Sequence, residues 1–285
     1  MLNNTQCCPG DEIFTRKRVY SGKLSLKATE RTFKAGMCIC HLHSTADYAE
    51  LLQYLHPQEL DYYEMLPVEK RKKSFSLGRY SAKRALSALV GESDFQGTLI
   101  ERGFFNHPVV VNPSNKNIQV SISHCDDIGA GLAFPESFPM GIDVEKMDPD
   151  KNNVLESQMT EKEKKLIKSF PWSYSALLVL LWTAKEALSK VLKTGLMTPF
   201  EISEVSRLTV EDGAIIGNFK NFAQYKGISF NLGRYMLTIV YPKSTKIQFN
   251  STVLKNTFDY MDLSHEHDFG LNRKSPCNII DDISF

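Results

Sequence analysis

The chain has 285 residues, of which 42% are hydrophobic and 24% are charged, and its formal net charge is +1 at pH 7. A chain of this length can bury a core of its own, as one large domain or as two of modest size. The near-neutral charge excludes a global field that would attract nucleic acid or anionic lipid. No apolar run is long enough to span a bilayer, and no basic segment followed by an apolar stretch opens the chain, so we predict a cytoplasmic protein.

The first half of the sequence predicts one prominent helix and several short strands. Residues 1–30 are polar and are interpreted as an irregular lead-in, whereas residues 36–43 are typical of a strand. Two short helices follow. The stretch LPVEKRKKSFSLGRYSAKRALSALVG predicts the clearest helix of this half, with Pro67 near its start and Gly91 at its end. Short strands separated by turn residues then run from residue 97 to residue 134.

The second half repeats this combination of a long helix with short strands. MGIDVE predicts a strand, TEKEKKLIKSF predicts a helix capped by Thr160, and SYSALLVLLWTAKEALSKVLK predicts the most hydrophobic helix of the chain. Strands of a meander follow, and residues 244–285 mix turn formers with charge, which predicts an irregular tail. The predicted fold class is therefore α+β, with two halves at residues 31–136 and 137–243.

A cluster of potential metal ligands occurs in CICHLH. Alternation along a strand places Cys38 and Cys40 on one face and His41 and His43 on the other, so one tetrahedral zinc site could not easily use all four. We favour a core strand with buried thiols over a zinc site.

Two acidic residues lie two positions apart in MGIDVE. The side chains of Asp143 and Glu145 point to the same face of a strand, with Cα atoms about 7 Å apart, and their carboxylates raise each other's pKa unless a cation lies between them. Glu186, on the hydrophobic helix, would supply a third carboxylate, and such a set of oxygen ligands suits Mg²⁺. Taken alone, an Asp-x-Glu pair at a strand end is more often two solvated acids.

The hydrophobic helix carries charges where most of its surface is apolar. Trp182, Glu186 and Lys190 are each four residues apart and share one stripe of the helix, with Lys185 beside them. A buried charge has to be paired or has to coordinate something. The alternative is an ordinary Glu–Lys pair on a solvated face, with little effect on stability.

Basic residues and one histidine are candidates for binding phosphate. In KRKKSFSLGRYSAKR, Arg79 and Lys83 lie four residues apart on a helix and could hold one phosphate together. A nucleic-acid-binding helix or a solvated face is the alternative. His124 ends the alternating strand QVSISH, where it could donate a hydrogen bond to a phosphate or have a structural role.

Taken in order, LGRYSAKRAL, SISHC, GIDVE, TEKEK and WTAKEALSK resemble the 4'-phosphopantetheinyl transferases of the long, surfactin/enterobactin-synthesis class. The family pattern is G-x-D-x-E followed roughly forty residues later by W-x-x-K-E-x-x-x-K. It is present in full as Gly141, Asp143, Glu145, Trp182, Lys185, Glu186 and Lys190. The resemblance, over about residues 60 to 200, implies transfer of the 4'-phosphopantetheine arm of coenzyme A to a serine of an apo acyl, peptidyl or aryl carrier protein, with release of 3',5'-ADP. It further implies siderophore, nonribosomal peptide or polyketide synthesis.

The resemblance also implies roles for individual residues. The ligands of Mg²⁺, or alternatively Mn²⁺, would be Asp143, Glu145 and Glu186. The residues that bind coenzyme A would be Arg71, Arg79, Lys83, Arg102, His107, Ser123, His124, Lys185 and Lys190. Glu186 or Glu163 would accept the proton of the carrier serine, with Glu161 as the alternative to Glu163 in this register, and Lys190 would neutralise the leaving phosphate. Asn106 and His107 depart from the family, which usually has glycine and a basic residue there.

The fold implied by the resemblance consists of two similar α+β halves related by a pseudo-two-fold axis, each a small, mostly antiparallel sheet packed with a long helix. Since a chain of this length carries both halves, we expect a monomer with its site in the cleft between them. A non-catalytic module that binds carrier protein or coenzyme A is one alternative, and a nucleic-acid-binding protein is another. Three retained carboxylates weigh against the first, and the neutral charge weighs against the second.

Overall fold

Two antiparallel sheets of five strands organise the chain. The computed structural model describes residues 18–91, 94–111 and 117–258, so residues 1–17 and 259–285 of the predicted irregular ends lie outside the described residues. The predicted α+β class is confirmed by these sheets and the helices packed on them. None of the described helices is both long and apolar enough to cross a membrane.

The elements of the first half have the following bounds, in chain order: β1 (Arg18–Lys27), β2 (Thr32–His41), α1 (Thr45–Leu51), α2 (Pro57–Met65), α3 (Glu69–Val90), β3 (Leu99–Arg102), β4 (Pro108–Val111), β5 (Ile118–Cys125) and β6 (Ile128–Pro135). The later elements are β7 (Gly141–Lys146), α4 (Asn152–Ser157), α5 (Glu161–Lys168), α6 (Tyr174–Leu192), β8 (Val205–Glu211), β9 (Ala214–Phe219), β10 (Tyr225–Leu232), β11 (Tyr235–Pro242), β12 (Lys246–Gln248) and α7 (Ser251–Phe258). The clearest predicted helix of the first half is confirmed as α3. It ends at Gly91, which adopts a left-handed φ of 85°.

The strand orders are β12-β1-β2-β6-β5 in the first sheet and β7-β11-β10-β9-β8 in the second, while β3 and β4 form a separate hairpin. The two sheets pack against each other through one hydrophobic cluster that takes side chains from both sheets and from α7. The opposite faces of the sheets carry the long helices: α3 lies on β2 and β6, and α6 lies on β7 and β11. The predicted division at residue 136 stays a proposal. It falls in the connection between β6 and β7.

Alternation along β2 confirms the predicted core strand. Cys38 and Cys40 are fully buried, and they pack towards α3 with Ala82 and Leu77 respectively. The intervening Ile39 faces the other sheet. The thiols therefore fill the layer between β2 and its helix.

The prediction of an irregular N-terminal segment is wrong for residues 18–27. These residues form β1, which pairs antiparallel with the whole of β2. Tyr20, Leu24 and Leu26 share the buried face of this strand. The interposed serines, glycine and lysines give the segment a polar composition, although its period of two is that of a half-buried strand.

The prediction of an irregular C-terminal tail is wrong for residues 246–258. The short strand β12 pairs with β1, and α7 buries Leu254 and Phe258 in the shared core. Asn250 accepts a hydrogen bond from Val253 N at 2.9 Å and so caps the helix. The spacing of Leu254 and Phe258 is helical, but β12 is too short to give a strand pattern.

The glycine of GIDVE permits close packing of β7 on α6. A Cβ atom at Gly141 would overlap the carbonyl oxygen of Ala187, and one at Gly36 in β2 would overlap that of Ala85 in α3. Each sheet thus approaches its helix at a glycine, in the same way in the two halves.

We expect Gly141→Ala to destabilise the protein by about 1–3 kcal/mol, because the helix backbone has to move to admit the methyl group. Urea unfolding of the variant measures this change. Gly217→Ala in β9 is the matched control, since the nearest atom to its added Cβ is Leu208 Cδ2 at 3.6 Å, an ordinary contact. Equal unfolding midpoints for the two variants would contradict the tight β7–α6 contact.

Candidate functional site

The acidic strand lies where the edges of the two sheets meet. β5 is an edge of the first sheet and β7 is an edge of the second. Ser121 Oγ accepts a hydrogen bond from Ile142 N at 3.1 Å, and Ser123 Oγ accepts one from Val144 N at 3.3 Å. These serines satisfy backbone donors of β7 in place of a further strand. The S-x-S-H segment therefore holds the two halves together beside the predicted site.

Asp143 is buried and is held at one oxygen only. Its Oδ1 accepts hydrogen bonds from Ser123 Oγ and Lys190 Nζ, both at 2.7 Å. Lys190 Nζ also donates to the carbonyl oxygen of Ile142 at 2.9 Å. The other oxygen, Oδ2, is buried and has no hydrogen-bond partner. A buried carboxylate oxygen without a partner is costly, and such an atom marks a position for a ligand.

The charges of Asp143, Glu145 and Glu186 act on one another. Burial and then the negative charge of Asp143 raise the pKa of Glu145. The same two causes raise the pKa of Glu186 to about 7, although Lys190 opposes them. The three carboxylates that the sequence singled out lie on β7 and α6, two elements that pack against each other, and their charges influence one another.

These residues fit a hard divalent cation. Within the described ranges, no three His, Cys, Asp or Glu side chains are already gathered so as to hold a metal ion, and Lys190 supplies the positive charge at Asp143. The donor set is nevertheless all oxygen, it includes the unpartnered Oδ2, and its members repel one another. A cation of the Mg²⁺ type would relieve both the repulsion and the missing contact.

Two cavities share part of their lining, and one of the three carboxylates, Glu186, lines the smaller of them. The larger, of about 460 Å³, is lined by four of the predicted coenzyme-binding residues: Arg71, Arg79, Arg102 and His124. The smaller, of about 220 Å³, is lined in part by His107, Glu186 and Lys190. Asn106, Pro108 and Ile122 line both cavities. A ligand could therefore extend from the arginines to Glu186.

The histidine of S-x-S-H faces the larger cavity in its neutral form. Although its side chain is open to the cavity, the surrounding protein lowers the pKa of His124, and the positive charge of Lys190 lowers it further. Neutral imidazole can donate one hydrogen bond and accept another. His124 is thus suited to bind an anion through an N–H group.

Residues 139–240 match the family model of the 4'-phosphopantetheinyl transferase superfamily. They form a domain of that superfamily. The match contains Asp143, Glu145, Glu186 and Lys190, so the predicted superfamily is confirmed, whereas the long class within it stays a prediction. No curated protein matches the chain.

The loop with Asn106 and His107, which departs from the family pattern, forms a turn although it lacks the usual glycine. Asn106, where the family usually has glycine, adopts a left-handed φ of 60°, which asparagine tolerates better than most residues. His107 Nδ1 contacts the carbonyl oxygen of Phe104. His107 lines the smaller cavity, whereas Arg102 lines the larger one with its guanidinium 4.6 Å from the ring of Tyr62.

Lys83 is paired within the protein, and its binding of phosphate together with Arg79 stays a prediction. Lys83 is only 1% exposed, and its Nζ lies 2.6 Å from Glu59 Oε2. It also donates to the carbonyl oxygens of Tyr54 and Phe95, at 2.9 and 2.8 Å. These three acceptors occupy the ammonium group. Arg79, one turn earlier on α3, does reach the cavity.

Lys185 of the motif is likewise buried and paired within the protein, and its contact with phosphate stays a prediction. Its Nζ lies 2.8 Å from Glu163 Oε2 and donates to the carbonyl oxygens of Gln158 and Phe200, at 3.2 and 3.1 Å. It lines neither the larger nor the smaller of the two cavities. Burial of α6 against α4 and α5 thus directs this lysine away from the site.

The role of Glu163 as acceptor of the serine proton also stays a prediction, and the structure shows its carboxylate bound within the protein. The residue is fully buried, and its carboxylate accepts hydrogen bonds from Thr160 N at 2.9 Å and Val205 N at 2.8 Å, in addition to Lys185. Glu163 completes a capping box at the start of α5. The alternative, Glu161, is exposed and pairs with Lys164.

The two buried ion pairs are built alike. Glu59 and Glu163 each occupy the third position of a short helix and accept a hydrogen bond from the backbone of the helix cap. Each also accepts the N–H of the strand that follows the long helix, at Ile100 and Val205. This shared pattern supports two similar halves and was not apparent from residue identity. Sequence reasoning missed Glu59 and Ser121, although H-x-x-E and S-x-S were available signals.

Proposed function

We propose that this protein is a Mg²⁺-dependent 4'-phosphopantetheinyl transferase of the holo-[acyl-carrier-protein] synthase type. It moves the arm of coenzyme A to a serine of an apo acyl, peptidyl or aryl carrier protein and releases 3',5'-ADP. The superfamily match supports this activity in general terms. The observation that carries the proposal is Asp143: one oxygen accepts two hydrogen bonds and the other has no partner, and its partner Ser123 precedes His124, which lines the arginine-rich cavity.

The larger cavity is proposed to bind the phosphate-rich end of coenzyme A. Arg71, Arg79 and Arg102 provide positive charge, and guanidinium groups match phosphate geometry well. His124 adds a neutral donor close to Lys190. The smaller cavity, next to Glu186 and Lys190, would accommodate the pantetheine arm.

The acidic cluster is proposed to hold the cation and to accept the proton. Asp143, Glu145 and Glu186 would hold Mg²⁺, or alternatively Mn²⁺, which when bound would stabilise the negative charge of the diphosphate. The serine hydroxyl of the carrier attacks the β-phosphorus and needs a proton acceptor. Glu186 is the candidate, since Glu163 is sealed and a carboxylate with a pKa of about 7 suits proton transfer at neutral pH.

Lys190 is proposed to act on the leaving group. Its side chain is about a quarter exposed and lines the smaller cavity, although its ammonium group is bound to Asp143. A positive charge at this place would stabilise the phosphate of the departing 3',5'-ADP. We further propose that the protein acts as a cytoplasmic monomer in siderophore, nonribosomal peptide or polyketide synthesis.

Incubation with an apo carrier protein, coenzyme A and Mg²⁺ tests the proposal directly. Intact-mass measurement should show the gain of one phosphopantetheine group, and Asp143→Ala should abolish that gain. Acyl, peptidyl and aryl carrier proteins should be tried in parallel. If the protein binds coenzyme A but modifies none of them, it is a non-catalytic module of the same fold.

A further inference from the structure

We propose that Glu59 is a positioning residue for coenzyme A, because it holds the guanidinium group of Arg79 in the larger cavity. This inference rests on the proposed function. It concerns a residue that lies outside the matched family segment and outside the cavity lining.

The carboxylate of Glu59 forms ion pairs with two cations, Lys83 and Arg79. Glu59 is 3% exposed; its Oε2 pairs with Lys83, and its Oε1 lies 3.3 Å from Arg79 Nε. The same Oε1 accepts a hydrogen bond from Ile100 N at 3.0 Å, which fixes the carboxylate between α2, α3 and β3. The contact with Arg79 is an ion pair without hydrogen-bond geometry. Its effect on Arg79 is therefore electrostatic.

The buried position of Arg79 requires a negatively charged partner. It is 8% exposed, and its guanidinium lies 4.7 Å from the ring of Phe75. Burial and the neighbouring Arg102 both lower the pKa of Arg79, whereas Glu59 opposes them. A buried cation beside a second cation requires a counter-charge. Glu59 is the carboxylate that forms an ion pair with it.

The second half provides a natural comparison. There Glu163 pairs with Lys185 in the same arrangement, but Leu181 occupies the position one turn before the lysine, where the first half has Arg79. The pair in the second half thus has only the structural task of joining α5, α6 and β8. The pair in the first half has the additional cation, and that cation lines the coenzyme cavity.

The test is a double-mutant cycle on coenzyme A affinity, measured by titration calorimetry. Glu59→Gln alone leaves Lys83 buried without a counter-charge, so the paired variant Glu59→Gln/Lys83→Met is used, and melting curves establish that it is folded. It should weaken binding about tenfold, the effect of losing one charge-assisted contact. In an Arg79→Ala background it should weaken binding no further.

Glu163→Gln/Lys185→Met is the matched control, and its effect on affinity should be the same in both backgrounds. Glu59→Asp, which keeps the negative charge beside Lys83, should bind coenzyme A with intermediate affinity. If Glu59→Gln/Lys83→Met weakens coenzyme A binding equally with Arg79 present and with Arg79→Ala, or does not weaken it at all, the positioning role of Glu59 is overturned. Failure of the wild-type protein to modify any carrier protein while it still binds coenzyme A would instead overturn the proposed function.

Discussion

Glu186→Gln should lower the rate of phosphopantetheine transfer by about two orders of magnitude or more, the effect of losing a metal ligand and a proton acceptor together. The amide keeps the size of the side chain and its position on α6, so the variant should remain folded. Single-turnover transfer to a carrier protein at saturating coenzyme A and Mg²⁺ measures the change. Near-native turnover would remove Glu186 from the proposed chemistry.

Although Glu186→Gln should lower the transfer rate, it should raise the thermal stability of the metal-free protein above pH 7. Burial and the charge of Asp143 raise the pKa of Glu186 from an ordinary 4.5 to about 7. The folded state thus favours the protonated form of Glu186. The free energy of folding that this protonation contributes is present at acid pH and is lost as pH rises through about 7. At pH 8 in EDTA, Glu186→Gln should therefore melt at a higher temperature than wild type, and the difference should vanish near pH 4.

Addition of Mg²⁺ provides the control for this comparison. The ion should raise the melting temperature of wild type more than that of Glu186→Gln, because the variant has lost a ligand. Glu161→Gln, an exposed glutamate on α5, should behave as wild type in every arm. Equal responses of Glu186→Gln and wild type to Mg²⁺ would contradict the metal site.

Lys185→Met should destabilise the protein by about 3–5 kcal/mol, because it leaves the carboxylate of Glu163 buried without its partner. The double variant Glu163→Gln/Lys185→Met should recover most of that loss, since no uncompensated charge remains. Urea unfolding measures both free energies. Lys164→Met, which removes the exposed partner of Glu161, is the control and should change stability little.

The transfer activity of Glu163→Gln/Lys185→Met decides whether this pair has a structural role or a role in the chemistry. Because Lys185 and Glu163 are sealed from both cavities, transfer should stay within about tenfold of wild type, the range expected for small shifts of neighbouring groups. A loss as large as that of Glu186→Gln would show that the pair takes part in the chemistry, as the family resemblance implied.

The acidic residues could be proposed as a site because their signals are local. Strand alternation placed Asp143 and Glu145 on one face, and helical spacing placed Glu186 and Lys190 on one stripe. In the structure α6 packs on β7, Lys190 pairs with Asp143, and the charge of Asp143 contributes to the raised pKa of Glu186. Local periodicity likewise predicted the long helices and most of the strands.

The roles of the lysines could not be predicted because their partners are set by tertiary packing. Nothing in the spacing of KRKKSFSLGRYSAKR indicates that Lys83 meets Glu59 of the preceding helix, or that Lys185 meets Glu163. Each glutamate occupies the third position of a capping box, and the ion pair that its carboxylate also forms depends on how two helices cross. The strand β1 was missed for a related reason, since its partner β2 supplies the pairing.

The hydrophobic cluster between the sheets has a consequence for motion. Because Leu24 and Leu132 of the first sheet and Ile142 and Leu237 of the second belong to one continuous interior, a hinge between the halves would have to open that interior to water. Rigid-body closure of the kind seen in two-domain enzymes is therefore disfavoured, and the halves should unfold in a single cooperative transition. Substrates must reach the carboxylates through side-chain and loop adjustments around a fixed frame, with Asn106 and His107 at the junction of the two cavities.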